Sequence, residues 1–201
     1  MRVTVIDYKA GNLTSVLKAL RHMGAQAVVT DGDLSLVEAA ERIVLPGVGH
    51  FAATKRLDAT GLTSAIRAAI ARGVPFLGIC VGMQWLYSGS SEAPAQPGLG
   101  HFTESCARFP ESHEKVPHVG WNSLDIRPNS RLLASVDPGE YVYFTHSYKA
   151  PVTADTAATT YYIEPFASAV ERGNVMGVQF HPEKSGATGL KILGNFLKWE
   201  G

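Results

Sequence analysis

The 201-residue sequence holds only two cysteines, Cys80 and Cys106. Two thiols cannot staple a chain of this size, and they suit a reducing compartment better than an oxidising one. It carries no surplus charge either: eighteen Lys and Arg balance eighteen Asp and Glu. With no long basic run, recognition of nucleic acid by bulk charge is excluded. No apolar run reaches membrane-spanning length, and the opening Met1-Arg2-Val3-Thr4-Val5-Ile6-Asp7 turns polar too soon for a secretory signal. A cytoplasmic location is expected. Metal-ligand spacing is missing as well. The seven histidines include no His-x-x-x-His pair, and there is no Cys-x-x-Cys and no Gly-Lys-Ser/Thr phosphate loop. Neither metal nor cofactor is expected.

What is present suits one packed core. The chain is 45% hydrophobic and 18% charged, so a single domain spanning 1–201 is expected. Residues 2–7 are rich in β-branched side chains, as a strand covered on both faces should be. Asn12 is placed to cap a helix whose apolar stripe is Leu13, Val16, Leu17 and Leu20, with Gly24 as its stop. Strands follow at 25–30, 42–45 and 76–79, with helices at 34–40 and 62–70 between them. This alternation predicts an α/β fold: a mostly parallel central sheet flanked by helices, with its chemistry at the C-terminal ends of the strands. Residues 88–100 turn to Ser, Gly, Pro and Ala and read as a surface loop. Beyond it come strands without long helices, at 102–109, 121–127, 141–144, 159–163, 167–171 and 175–179. Arg172-Gly173-Asn174 is a hairpin turn between the last two. This second half is expected to add an antiparallel region, either extending the sheet edge or forming a smaller sheet. A helix over 190–199 closes the chain.

The chemistry centres on Gly78-Ile79-Cys80-Val81-Gly82. A small residue two positions either side of a nucleophile is what a strained strand-to-helix elbow needs, because larger side chains there would collide. A thiol in that turn would also sit at the N-terminus of the next helix, where backbone N–H groups and the helix dipole favour the thiolate. Such a cysteine needs a base and a group to orient the base. Of the seven histidines, His181 has a local carboxylate: in Phe180-His181-Pro182-Glu183 an extended chain would turn 181 and 183 to one face. Taken alone, His-Pro-Glu reads more readily as a surface turn after a strand. Set beside the elbow, it supplies the missing half of a Cys80–His181–Glu183 triad. An oxyanion hole would use the N–H of Val81, the residue after the nucleophile, and the glycine-rich strand end at Gly47, Val48 and Gly49. The run Gly47-x-Gly49-x-x-Ala52 also imitates a dinucleotide fingerprint. The following strand, however, ends in Cys80 rather than in an acid, and Asp58 falls in a helical stretch.

Taken together, Gly-Ile-Cys-x-Gly-Met-Gln and the later Phe-His-Pro-Glu resemble the class I, triad-type glutamine amidotransferases. Three further segments are similar to one branch of that family, the glutaminase subunits of imidazole glycerol phosphate synthase. They are Pro46-Gly47-Val48-Gly49-His50-Phe51, Pro117-His118-Val119-Gly120-Trp121-Asn122 and Tyr143-Phe144-Thr145-His146-Ser147-Tyr148, and His-Pro-Glu continues into Lys184-Ser185. Gly82-Met83-Gln84 separates the chain from anthranilate-type relatives, which carry Gly-His-Gln. The resemblance implies the class I amidotransferase fold and hydrolysis of glutamine through a cysteinyl thioester. It places the glutamine against Gly47, Gln84, Glu92, His146, Ser147 and Tyr148. It also implies delivery of ammonia to a (β/α)8-barrel cyclase in a heterodimer, which makes imidazole glycerol phosphate and an aminoimidazole carboxamide ribonucleotide in histidine biosynthesis. His118, Trp121, Asn122, Tyr143 and Lys184 would face that partner. The segment from Gly98 to Ser105 departs from the family pattern, with His101 at an apolar position and Glu104-Ser105 near an expected glycine. Three other readings stay open: the glutaminase of a different synthase, a stand-alone cysteine hydrolase of γ-glutamyl compounds, and a non-catalytic binding protein.

Overall fold

The computed structural model describes residues 1–10 and 13–200. The cap expected at Asn12 lies outside the described residues. The first half alternates as its hydrophobic pattern requires. It runs β1 (Arg2–Ile6), α1 (Leu13–His22), β2 (Gln26–Thr30), α2 (Leu34–Glu38), β3 (Ile43–Gly47), α3 (Lys55–Ala59), α4 (Leu62–Ala71) and β4 (Phe76–Cys80). Val3, Val5, Ile43, Val44, Phe76 and Leu77 are fully buried, which is why these strands read as apolar runs and not as alternating ones. Gly24 stops α1 with a left-handed φ of 82°. A single turn, α5 (Val81–Gln84), follows β4.

The second half contains β5 (Ala107–Arg108), β6 (His118–Ser123), β7 (Asp125–Ile126), β8 (Tyr141–His146), β9 (Tyr148–Lys149), β10 (Thr156–Tyr162), β11 (Glu164–Arg172), β12 (Val175–Val178) and α6 (Gly186–Leu197). Its strands do both of the things the sequence left open. One eight-stranded sheet runs in the order β2-β1-β3-β4-β12-β11-β10-β7. It is parallel through β12 and antiparallel from β11 outward. Two small sheets, β5-β9 and β6-β8, stand apart from it. The turn at Gly173 has φ 58°, and the Asn174 side-chain amide donates to the carbonyls of Ile70 and Val74, tying the hairpin to the end of α4.

One expected strand is absent. Of residues 102–109 only Ala107–Arg108 pairs as a strand. The Phe102 N–H goes to Leu86 O, the Cys106 N–H to Gly89 O, and Glu104 O accepts from Ser88 N. The backbone groups that would form a ladder are spent on the irregular 86–91 segment. The unusual His101 packs its ring edge-on against Phe102, with centroids 5.0 Å apart.

Candidate active site

Cys80 ends β4 and opens α5 with φ 54° and ψ −109°, a conformation that costs a non-glycine residue strain. The flanking glycines make the turn possible. A Cβ on Gly78 would lie 2.4 Å from Gly82 O, and one on Gly82 would lie 1.9 Å from Leu45 O. Both obstacles are backbone and cannot move aside. The thiol is 3% exposed. The helix it opens is a single turn of four residues, so the helix dipole at the thiol is slight and its surroundings are set by neighbouring side chains.

The neighbouring strand supplies the main one. β12 lies parallel to β4 with Val178 opposite Ile79, so the chain leaving β12 passes the elbow. There His181 N–H donates to Tyr143 O at 2.9 Å and His181 O accepts from Ser185 Oγ at 2.6 Å. The chain does not stay extended. Pro182–Lys184 forms a 3₁₀ turn, closed by Lys184 N–H to His181 O, and it is this turn that folds Glu183 back beneath the ring. His181 Nδ1 and Glu183 Oε1 are 2.9 Å apart, with both side chains 1% exposed. Burial works against a charge on His181, but hydrogen bonding and charge attraction from Cys80 and Glu183 outweigh it and push the pKa up to about 9. Nε2 has no aligned hydrogen bond. It is the free nitrogen of the pair, with Cys80 near enough to act on its charge.

In front of the thiol lies a cleft of about 280 Å³ lined by Val48, Gly49, Cys80, Val81, Gln84, Glu92, Pro117, Thr145, His146, Ser147 and Tyr148. Nine of the residues read from the sequence meet here; His181 and Glu183 sit behind the wall. Gly47 does not line it. Its α-carbon packs under Tyr8 and Val81, where a Cβ would lie 2.1 Å from the Tyr8 hydroxyl. That hydroxyl is buried without a partner, and burial together with Cys80 pushes its pKa up. Gly49, at φ 105°, gives the Val48–Gly49 peptide the freedom of a glycine-only conformation. Glu92 accepts from the Phe51 N–H at 2.7 Å and so anchors the loop that carries Val48 and Gly49. Gln84 donates from Nε2 to Tyr148 O at 2.9 Å and to Gln179 Oε1 at 3.1 Å. Gln179, in turn, donates to Cys80 Sγ at 3.6 Å. Sequence reasoning missed Gln179, Thr145 and Pro117. Gln179 had a signal, being an amide in an otherwise apolar run that ends beside His181. Pro117 follows a cis peptide bond.

The residues assigned to a partner-facing surface divide. Trp121 is 55% exposed on β6 and meets Tyr143 of β8 edge-on at 6.1 Å, and Lys184 Nζ stands 5.8 Å from the Tyr143 ring. Asn122 is half-buried and donates to Tyr161 O at 3.0 Å. His118 is not on this surface. It is buried between Phe144, with ring centroids 4.8 Å apart, and Tyr162 at 4.0 Å, because the β6-β8 register sets it opposite His146 and turns it inward. Val119 and Tyr141, which the sequence did not single out, are exposed on the same face of β6-β8 and enlarge the patch, and Tyr161 is exposed on β10.

A strained cysteine elbow backed by a buried His–Glu pair on a parallel sheet defines a class, and comparison with known proteins names it. The description "Glutamine amidotransferase class-I" matches residues 4–199, and the chain belongs to that family of enzymes. The structure of PurLQS from Thermotoga maritima shares the fold at a TM-score of 0.74 and 21% identity, over 98% of this chain and 97% of that one. Within the family, the chain is 46% identical to the imidazole glycerol phosphate synthase subunit HisH of Deinococcus radiodurans, over 98% of this chain and 93% of that protein. It is 44% identical to the subunit of the same name from Methanosarcina acetivorans, over 98% of each. Among the described residues no helix is long and apolar enough to cross a membrane.

Proposed function

We propose that this chain is the glutaminase subunit of an imidazole glycerol phosphate synthase, acting as one domain over 1–201 in the cytoplasm. Sγ of Cys80, its proton already held by His181, attacks the side-chain carboxamide carbon of glutamine. The oxyanion that forms is held by the Val81 N–H and the Val48–Gly49 peptide. His181, oriented by Glu183, returns the proton to the amide nitrogen; the C–N bond breaks, ammonia leaves, and a γ-glutamyl thioester stays on Sγ. Water then attacks with His181 as base, releasing glutamate and restoring the thiol. Gln84, Glu92, His146, Ser147 and Tyr148 shape the glutamine cleft. The observation that carries this reading is the free Nε2 of a Glu183-held imidazole beside Cys80, at the edge of a cleft of suitable size.

Ammonia released into water at neutral pH would be protonated and lost to the next step. The exposed patch of Val119, Trp121 and Tyr141 on β6-β8 has the composition of a docking face. It supports a heterodimer with a (β/α)8-barrel cyclase that receives the ammonia. A stand-alone hydrolase would have no use for such a patch. The test is glutaminase turnover by the purified chain, alone and with the cyclase holding its ribonucleotide. Turnover should rise on addition of the loaded partner and fall by several orders of magnitude in Cys80→Ala. Full turnover by Cys80→Ala would sink the mechanism, and equal rates with and without partner would sink the coupling.

A further inference from the structure

Two buried histidines outside the triad form an unbroken hydrogen-bonded line between the exposed patch and the cleft. Asn122 Nδ2 lies 3.3 Å from His118 Nε2, His118 Nδ1 lies 3.0 Å from His146 Nε2, and His146 Nδ1 lies 2.9 Å from Tyr148 O. The direction of this line is fixed from both ends. A carbonyl can only accept, so the proton of His146 is on Nδ1 and its Nε2 is bare. His118 must then donate from Nδ1, which leaves its own Nε2 to accept from Asn122. The Asn122 orientation is settled independently, because its Nδ2 also donates to Tyr161 O and its Oδ1 accepts from the Ser123 N–H. Both rings are therefore neutral, and a proton on either one would set donor against donor and break the line.

The surroundings agree. Burial lowers the His118 pKa to about 4 and that of His146 to about 3. His118, His181 and Lys149 oppose a charge on His146, and only the Tyr148 carbonyl favours one. Phe144 and Tyr162 stack on the two faces of the His118 ring. The line ends on the carbonyl that also receives Gln84 Nε2, and from Gln84 it continues through Gln179 to Cys80 Sγ.

We propose that His118 and His146 are positioning residues, which carry the placement of β6 under the exposed patch to the Tyr148 carbonyl and so set the wall of the glutamine cleft. This rests on the reading of the cleft as the glutamine site. Two variants of His118 separate positioning from packing. His118→Phe keeps a ring between Phe144 and Tyr162 but has no N–H, whereas His118→Asn loses the ring but offers Nδ2 where Nδ1 stood. For the chain co-purified with its cyclase, KM for glutamine should rise about tenfold in His118→Phe, equivalent to one lost hydrogen bond of roughly 1.4 kcal/mol. kcat should stay within about threefold, because the triad is not touched. His118→Asn should recover most of the KM although it melts lower than His118→Phe. A KM that follows the melting temperature overturns the proposal while leaving glutamine turnover by the wild type intact. A wild-type complex that turns over no glutamine overturns the functional reading, and this proposal with it. ¹⁵N NMR of the imidazole rings checks the line without any activity: both rings should be neutral Nδ1–H tautomers at about pH 6, and an Nε2–H or charged ring refutes it.

Discussion

Replacing Glu183 by Gln removes one negative charge from a contact that water does not reach. His181 and Glu183 are each 1% exposed and 2.9 Å apart. The His181 pKa of about 9 stands above its ordinary value of 6.5, which corresponds to on the order of 3 kcal/mol of preference for the charged ring in the folded chain. Because burial alone would push the other way, Cys80 and Glu183 together supply more than this net figure. Losing the Glu183 charge should lower the His181 pKa by about one to two units, equivalent to roughly 1.5–3 kcal/mol. The sign follows from linkage. A pKa raised on folding stabilises the protein fully below the unfolded value near 6.5, and that stabilisation is lost as pH rises through 9. Wild-type unfolding free energy from urea titrations should therefore fall between about pH 6 and pH 9.5 by on the order of 3 kcal/mol from this group, and Glu183→Gln should flatten the slope. NMR titration of the ring gives the pKa directly. Glutaminase kcat in the complex should drop by about two to four orders of magnitude, less than in Cys80→Ala. An unchanged slope with a ring that still titrates near pH 9 would refute the assignment of Glu183 as the group that holds the charge.

Two further outcomes follow from packing. Gly82→Ala would drive a Cβ to 1.9 Å from Leu45 O, so the elbow must shift against β3; a loss of about 1–3 kcal/mol in chemical denaturation and a Cys80 that no longer reacts with a glutamine-like electrophile are expected. Wild-type labelling by the variant would show that the glycine is dispensable. Trp121→Ala removes the largest exposed apolar side chain of the patch. It should weaken cyclase binding, measured by calorimetry, by about thirtyfold or more while leaving the melting temperature of the isolated chain within a degree or two. Unaltered affinity would move the docking face elsewhere.

The elements that were legible in the sequence are those whose signal is local. β1, β3 and β4 are β-branched or apolar runs, α1 has a clean stripe, and the elbow declares itself through Gly78 and Gly82. What could not be read is what long-range partners decide. Residues 102–109 look like a strand, yet their backbone groups are claimed by the 86–91 segment. His181 and Glu183 meet, but not through the extended chain their spacing suggests, since Pro182 starts a 3₁₀ turn. His118 reads as a surface residue of a motif until the β6-β8 register turns it inward against His146. Gln179 lay in plain view, but its contacts to Gln84 and Cys80 exist only once β12 is set beside β4.

That placement of β12 carries a consequence for how the enzyme comes into being. The strand that brings the base is the last strand in the sequence, yet it lies in the interior of the sheet, between β4 and β11. A growing chain can assemble β1 through β4 and their helices, elbow included, with the flank of β4 still open. Until β12 closes that gap, Cys80 has no His181 and the Tyr143 carbonyl that seats His181 has nothing to receive. On the proposed mechanism, glutamine hydrolysis is thus withheld from any form of the chain that lacks β12. A nascent chain that has not reached β12, or one clipped before it, would carry the elbow without its histidine.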